Sequence, residues 1–126
     1  MIVGIGVDTV DSTRFATHLA HRNMALIARL FTPAEQTYCL AKASAADCFA
    51  ARFAAKEAFL KALGTGLRNG VSWLEMEVTN DQLGKPSLTV TGAAAAALDQ
   101  YGASTIHLSL SHDGGHAVAM VVVEGT

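Results

Sequence analysis

A stretch near the middle of the chain is apolar or alanine on nearly every face of a helix. It runs from Ala50 to Leu63, and Gly64 after it is a typical C-terminal cap. Ser44, followed three residues later by Asp47, resembles a capped helix start. The pattern predicts one long helix from about Ser44 to Leu63. Because so little of it is polar, little of this helix is available to be a solvated face.

The rest of the chain divides into short segments of regular apolar pattern. Five are typical of strands, at residues 1–7, 73–79, 87–91, 106–111 and 117–123. Three more are typical of helices, at residues 12–21, 32–42 and 92–101. Asp11 or Ser12 would cap the first of these helices, and the capping box Thr32–Glu35 begins the second. The order β-α-α-α-β-β-α-β-β predicts an α+β domain with a mostly antiparallel sheet.

Length and composition limit the class of protein. A chain of 126 residues predicts one domain over residues 1–126. The longest strongly apolar run, Ala117 to Val123, is too short to span a membrane, and no signal-peptide pattern is present. We therefore expect a cytoplasmic protein. Because 51% of the residues are apolar and the mean hydropathy is +0.31, we expect part of the surface to be buried against other subunits.

Net charge and cysteine content argue against other classes. The formal net charge is −2 at pH 7, which gives no indication of nucleic-acid binding. Cys39 and Cys48 lie nine residues apart with no histidine at ligand spacing. We expect two reduced thiols rather than a disulfide or a zinc site.

The long helix carries a charged pair with two explanations. Glu57 and Lys61 lie one turn apart on the same face. They are either an ordinary surface ion pair or part of a functional site, because Gly64-Thr65-Gly66 follows and such loops let backbone N–H groups approach a phosphate. Asp8, after the first strand, is either a turn residue or, beside Glu57, a ligand of a two-carboxylate Mg²⁺ site.

Polar residues also mark one of the later strands. Ser109 and Ser111 lie on one face of it, and His112 follows at its end. These residues are either the polar face of an edge strand or contacts to a phosphate or nucleotide. A serine–histidine nucleophile pair is disfavoured, because no nucleophile-elbow sequence accompanies them.

Basic residues recur along the first predicted helix. Arg14, His18 and Arg22 are spaced four apart, with His21 and Arg29 close in sequence. This group is either a solvated helix face or a docking surface for an acidic partner.

Five motifs occur in the order and at the spacing of one known family. They are Gly4-Ile5-Gly6-Val7-Asp8; Phe31-Thr32-Pro33-Ala34-Glu35 with Tyr38; Ala51-Arg52-Phe53-Ala54-Ala55-Lys56-Glu57-Ala58 through Lys61 to Gly66; Gly84-Lys85-Pro86; and Ser109-Leu110-Ser111-His112. The third is the most specific. On these motifs the chain resembles the short, free-standing holo-acyl-carrier-protein synthases, which are 4′-phosphopantetheinyl transferases. The resemblance implies a mostly antiparallel sheet wrapped on a long central helix.

The resemblance also implies an activity and its site residues. A serine of an acyl-carrier protein would attack the β-phosphate of coenzyme A, releasing adenosine 3′,5′-bisphosphate, in the service of fatty acid biosynthesis. Asp8 and Glu57 would hold Mg²⁺, or Mn²⁺, and Lys61 would neutralise the leaving phosphate. The residues that match family positions around coenzyme A are Arg52, Lys61, Gly64, Thr65, Gly66, Pro86, Ser109, Ser111 and His112.

The resemblance leaves the general base of the reaction open. Glu57, a metal-bound water and His112 are all candidates for the base. We favour the water, oriented by Glu57, because a carboxylate committed to a metal is a poor base. The larger two-repeat transferases carry a further carboxylate two residues after the first aspartate, where this chain has Val10. Two protein ligands are therefore expected.

Partners follow from the same resemblance. The short enzymes assemble as homotrimers with active sites shared between subunits, which agrees with the apolar composition. Carrier proteins are acidic and dock on the first helix. There Arg14 matches a family arginine, and His18 and Arg22 follow by helical spacing.

Two other functions are possible for such a chain. One is a carrier-protein or nucleotide-binding module without catalysis, which the presence of Asp8, Glu57 and Lys61 argues against. The other is a magnesium-dependent phosphohydrolase, for which the sequence supplies neither a second metal site nor a water-activating histidine cluster.

Overall fold

The computed structural model describes residues 1–68 and 70–126. Its elements are β1 (Ile2–Asp11), α1 (Thr13–Ala20), α2 (Met24–Leu30), α3 (Pro33–Leu40), α4 (Ala45–Leu63), β2 (Met76–Asn80), β3 (Pro86–Val90), α5 (Gly92–Gln100), β4 (Thr105–Asp113) and β5 (His116–Glu124). All strand pairs in it are antiparallel. The predicted α+β class with antiparallel strands is confirmed.

The strands form two sheets. One has three strands in the order β1-β5-β4, and the other pairs β2 with β3. In the larger sheet Asp8 pairs with Ala119, and Ala119 pairs with Leu110. These three residues therefore lie at one level across the sheet, with Asp8 on one edge strand and Leu110 on the other.

Helix α4 packs against β1 and β5 of the larger sheet. Two glycines allow this contact to be a backbone contact. A Cβ atom at Gly6 would lie 2.7 Å from the amide nitrogen of Ala62 and closer still to the carbonyl oxygen of Ala58, and Gly4 meets the next turn in the same way. Because side chains two residues apart share a face of a strand, Asp8 is carried toward the same helix.

Aromatic side chains fill the space between α4 and the N-terminal helices. Phe15, Phe31, Phe49 and Phe59 are buried. The ring of Phe31 lies 4.8 Å from that of Phe49 and 5.7 Å from that of Phe15. Burial of each ring stabilises the fold by about 1.5–3 kcal/mol, and the cluster holds α1 and α2 against α4.

A buried ion pair joins α3 to α4. The Lys56 ammonium donates to Glu35 Oε1 at 2.6 Å and to the carbonyl oxygens of Leu30 and Trp73 at 2.7 and 3.1 Å. Glu35 accepts in turn from the amide of Val78 at 2.9 Å, and both side chains are fully buried. Burial lowers the pKa of Lys56, and the Glu35 carboxylate acts against that shift. The pair thereby ties α3, α4 and β2 to one another.

Several element boundaries differ from the predictions. Helix α2 was not predicted, β1 runs three residues beyond Asp8, and Trp73–Glu75 is a 3₁₀ turn rather than the start of a strand. The turn has its own capping box, in which Ser72 accepts from the amide of Leu74 and Glu75 accepts from the amide of Ser72. No helix in the described residues has both the length and the apolar character needed to cross a membrane.

The expectation of two reduced thiols is wrong. Cys39 and Cys48 form a disulfide, with their Cα atoms 5.4 Å apart. The physical reason is the short connection between α3 and α4, which brings the end of one helix beside the first turn of the next. That separation is within the range a disulfide requires.

Candidate functional site

Two carboxylates and a lysine meet where β1 contacts α4. Lys61 donates a hydrogen bond of 2.7 Å to Asp8 Oδ1. Glu57 lies one helical turn before Lys61 and within electrostatic range of Asp8. The Asp8 side chain is 15% exposed and that of Lys61 54% exposed, so the group opens to solvent from one side. The predicted approach of Asp8 to Glu57 and Lys61 is therefore present within one chain.

The electrostatics of this cluster favour a cation. Partial burial, and then the charge of Asp8, raise the pKa of Glu57 above its ordinary value. The hydrogen bond to Asp8 raises the pKa of Lys61. Two neighbouring carboxylates form the oxygen donor set that Mg²⁺ takes in proteins. The described residues contain no group of three or more histidine, cysteine or acidic side chains at ligand distance.

An open cavity of about 340 Å³ adjoins the cluster. Its lining residues are Glu57, Leu60, Lys61, Gly64 and Gly66. Gly64 and Gly66 have φ values of 71° and 60°, and no atom lies within 4 Å of the position a Cβ would take at either. The backbone at the end of α4 is thus open to a ligand on both sides of Thr65. Such a loop beside an ammonium group is suited to a phosphate.

A second cavity, of about 440 Å³, lies between α3, α4, β3 and β4. The predicted residues Arg52, Pro86 and His112 line it, together with Tyr38, Lys42, Asp47, Asn80 and Leu110 among others. Arg52 is 3% exposed and donates from Nη2 to Asn80 Oδ1 at 2.7 Å. Burial lowers the pKa of this guanidinium, which nonetheless stays charged at neutral pH. The cavity is therefore walled in part by cations.

The two cavities share no lining residue. Arg52 and Glu57 are five residues apart on α4, which places them about 140° apart around the helix axis. Ser109 and Ser111 belong to neither cavity: they pair with Met120 and Val118 on the exposed outer face of the larger sheet. A single chain consequently brings Asp8, Glu57, Lys61, Gly64 and Gly66 together, and Arg52, Pro86 and His112 together, but does not join these groups.

The basic residues predicted to share a face of the first helix lie in different environments. The Arg14 guanidinium lies 5.5 Å from the centre of the Phe53 ring and close enough to Glu57 to act against the rise in the pKa of that carboxyl. His18 lies in the last turn of α1. Arg22 lies beyond the end of α1 with a φ of 51°, so the helical spacing used to group it with Arg14 does not extend to it.

Sequence reasoning missed three residues of the second cavity. Tyr38 had been noted only as part of a motif, and Lys42 and Asn80 had no assigned role. The Arg52 guanidinium and the Lys42 ammonium lie 4.3 and 4.5 Å from the centre of the Tyr38 ring. The motif position of Tyr38 was the one signal available, because the contacts join α3, α4 and β2, which are distant in sequence.

Comparisons with known proteins identify the family. Residues 4–121 match the model of the 4′-phosphopantetheinyl transferase superfamily. A holo-[acyl-carrier-protein] synthase from Trichlorobacter lovleyi is 60% identical over 98% of this chain and 98% of its own length. The solved structure of the Neisseria meningitidis holo-[acyl-carrier-protein] synthase superposes with a TM-score of 0.87 at 37% identity, covering 98% of this chain and 99% of that one. That of the Bacillus anthracis synthase, in complex with CoA (3′,5′-ADP), gives 0.81 at 37% identity, covering 100% and 99%. The chain therefore belongs to the holo-[acyl-carrier-protein] synthases of the 4′-phosphopantetheinyl transferase superfamily.

Proposed function

We propose that this chain transfers the 4′-phosphopantetheine group of coenzyme A to a serine of an apo-acyl-carrier protein, for fatty acid biosynthesis. The observation that carries the proposal is the cluster of Asp8, Glu57 and Lys61 beside the open Gly64–Gly66 loop. It combines a carboxylate pair suited to a cation with an ammonium group and an open cavity, as phosphoryl transfer needs.

Each group of the cluster has a role in the transfer. Asp8 and Glu57 would hold Mg²⁺, or Mn²⁺, which when bound supplies positive charge to the donor's diphosphate. The serine oxygen forms a bond to the phosphorus on the pantetheine side, and the bond from that phosphorus to the bridging oxygen breaks. The electron pair leaves with adenosine 3′,5′-bisphosphate. Lys61 neutralises the charge that develops on this leaving group, and the open Gly64–Gly66 loop leaves room for it beside the helix end.

The proton of the serine goes to a base near the carboxylates. Glu57 lies at the required place, and its raised pKa suits a group that orients a water molecule or takes a proton. His112 lines the other cavity of the same chain, so it reaches this reaction only from a neighbouring subunit.

The second cavity takes the nucleotide end of the donor. Coenzyme A carries a diphosphate and a separate phosphomonoester. With the diphosphate at the carboxylate cluster, the phosphomonoester needs cations elsewhere. Arg52 and Lys42 supply them, and Pro86 and Leu110 supply apolar wall for the base.

A homotrimer with sites shared between copies is part of the proposal. Two features support it. The two cavities lie on different sides of α4, so one donor molecule spans them most readily across a boundary between copies. In addition, Ile5, Val7, Val118 and Met120 are exposed on the outer face of the larger sheet. A second copy covering this apolar face would also bring Ser109 and Ser111 to a donor.

The carrier protein docks along α1 in this proposal. Arg14 lies beside Glu57, so an acidic partner bound to Arg14 and His18 would present its serine close to the carboxylate cluster. Arg22 extends the surface beyond the helix end.

The decisive experiment is intact mass measurement of an apo-acyl-carrier protein after incubation with this chain, coenzyme A and Mg²⁺. We expect the mass to rise by one phosphopantetheine group. The gain should disappear with EDTA and with Glu57→Gln, while Glu57→Gln still binds the carrier protein. No gain across several apo-carriers from a folded chain that binds coenzyme A would overturn the catalytic proposal in favour of a binding module. Release of inorganic phosphate without carrier protein would favour a phosphohydrolase.

A further inference from the structure

The ring of Tyr38 collects two cations at one wall of the larger cavity. Arg52 Cζ lies 4.3 Å and Lys42 Nζ 4.5 Å from its centroid. Because both distances start from the same point, the two charges lie within about 9 Å of each other. Attraction to an aromatic face is worth about 0.5–2 kcal/mol per cation, which offsets part of their mutual repulsion.

The two cations differ in how firmly they are otherwise held. Arg52 is buried and has a second partner in Asn80, whose own amide donates to the carbonyl oxygen of Gly84 at 3.0 Å. Arg52 Nη1 donates to the weak acceptor Cys48 Sγ at 3.6 Å. Lys42 is exposed, and in the described part of the chain its ammonium has no hydrogen bond or ion pair besides its contact with the Tyr38 ring. The ring is therefore what keeps Lys42 at the cavity.

The carboxylate in the same cavity does not neutralise this pair. Asp47 accepts a hydrogen bond of 2.7 Å from Ser44 Oγ, and its amide donates to the same hydroxyl at 3.4 Å. The nearby hydroxyl groups of Ser12 and Ser44 lower the pKa of Asp47. Its charge is therefore engaged at the start of α4.

We propose that Tyr38 is a positioning residue, whose ring holds Lys42 and Arg52 where both contact the phosphomonoester of the donor nucleotide. This inference rests on the proposed function for the identity of the donor. A dianionic phosphate gains from two cations held in place beforehand, because neither side chain then loses its rotamer freedom on binding. The ring contributes through its face, and the hydroxyl is dispensable.

The test compares Tyr38→Leu with Tyr38→Phe in steady-state transfer. Tyr38→Leu removes the aromatic face, so the KM for coenzyme A should rise about tenfold, with kcat within about twofold of wild type. Tyr38→Phe keeps the face and should stay within about twofold of wild type in both constants. With dephospho-coenzyme A, which lacks the phosphomonoester, Tyr38→Leu should leave the KM unchanged. Tyr101→Leu, at an exposed tyrosine remote from the cavity lining, is the matched control.

A second variant keeps the proposal testable if Tyr38→Leu fails to fold. Lys42→Met lies on the exposed rim and should raise the KM for coenzyme A selectively. In Tyr38→Leu/Lys42→Met the two effects should combine to less than their product, because the ring acts partly through Lys42. Any one of three results would overturn the proposal. They are an equal rise in KM for both donors, a Tyr38→Phe variant that binds as weakly as Tyr38→Leu, and effects of Tyr38→Leu and Lys42→Met that multiply fully.

Direct binding separates this inference from the proposed function. Calorimetry with adenosine 3′,5′-bisphosphate and with adenosine 5′-monophosphate measures the same contrast without any transfer. If the wild-type chain transfers nothing but Tyr38→Leu weakens only the bisphosphate about tenfold, the role of Tyr38 stands and the catalytic proposal falls. If transfer occurs and the two nucleotides are weakened alike, the role of Tyr38 falls and the catalytic proposal stands.

Discussion

Lys61 donates a 2.7 Å hydrogen bond to Asp8, and through that contact it compensates one of the two carboxylates at the β1–α4 junction. Glu57, one turn earlier on the same helix, accepts no hydrogen bond from the described residues, and burial and the charge of Asp8 both raise its pKa. The cluster is therefore asymmetric: Asp8 is paired with Lys61, whereas the negative charge of Glu57 is disfavoured and would be stabilised by a bound cation.

Removing the charge of Glu57 should stabilise the fold when no metal is present. The folded-state pKa of Glu57 is raised above its unfolded value. Ionisation of Glu57 therefore lowers the free energy of unfolding as the pH rises from the ordinary value of 4.5 through the folded pKa, and it has no effect below 4.5. In EDTA, Glu57→Gln should have the larger free energy of unfolding at pH 7, with the difference closing toward pH 4. Denaturant titration across this range measures it. A Glu57→Gln variant that is less stable at pH 7 would contradict the asymmetry.

Breaking the buried Lys56–Glu35 pair should be severe. Lys56→Met leaves the Glu35 carboxylate buried and uncompensated, so we expect a loss of about 3–5 kcal/mol in the free energy of unfolding. Lys56→Met/Glu35→Met should lose less than the sum of the two single variants. The exposed Lys85→Met is a control, with an expected change below about 0.5 kcal/mol. A small effect of Lys56→Met in urea unfolding would mean that the pair is not what joins α3 to α4.

Mixing two inactive variants should restore activity if sites are shared between copies. Arg52→Met spoils the nucleotide cavity and Glu57→Gln the carboxylate cluster. Random co-assembly into trimers leaves about a quarter of the boundaries with both intact faces. Unfolding and refolding an equal mixture should therefore give about a quarter of wild-type transfer. An activity no higher than that of the separate variants would indicate that each chain works alone.

Reduction of the Cys39–Cys48 disulfide should lower stability by about 3 kcal/mol, because it releases a closed loop whose ends are nine residues apart. Unfolding curves with and without dithiothreitol measure the change. Cys39→Ala/Cys48→Ala should be indifferent to the reductant. If the wild-type chain is equally indifferent, the bond contributes nothing to the folded state in solution.

The long helix and both of its ends could be predicted, because Ser44 and Gly64 are local signals that the surrounding structure reinforces. Helix α2 could not, since it has seven residues and its cap residue Asn23 makes no side-chain cap hydrogen bond. The 3₁₀ turn at Trp73–Glu75 was mistaken for strand because a capping box with Ser72 overrides the apolar alternation. Local pattern thus succeeded where capping and periodicity agree.

Only part of the candidate site could likewise be predicted from the sequence. Asp8, Glu57 and Lys61 could be grouped because one strand and one helix face suffice to bring them together. The separation of His112 from that group could not be foreseen, because it depends on how β4 packs relative to α4. The separation of Arg52 follows from its helical offset from Glu57. The disulfide was missed for the same reason: sequence gives the spacing of Cys39 and Cys48, and only the turn between two helices gives their distance.

Gly4 and Gly6 of β1 limit which substitutions in this protein can affect the candidate site. At Gly4 and Gly6 the strand rests on the main chain of α4, with no side chain between them. The spacing of Asp8 from Glu57 is therefore set by the thickness of two polypeptide backbones, which is the same whatever residues fill the core. Substitutions among the buried phenylalanines can loosen or tighten the fold while the distance between the two acids stays fixed. The geometry of the two acids therefore depends most on Gly4 and Gly6, two residues that have no side chain.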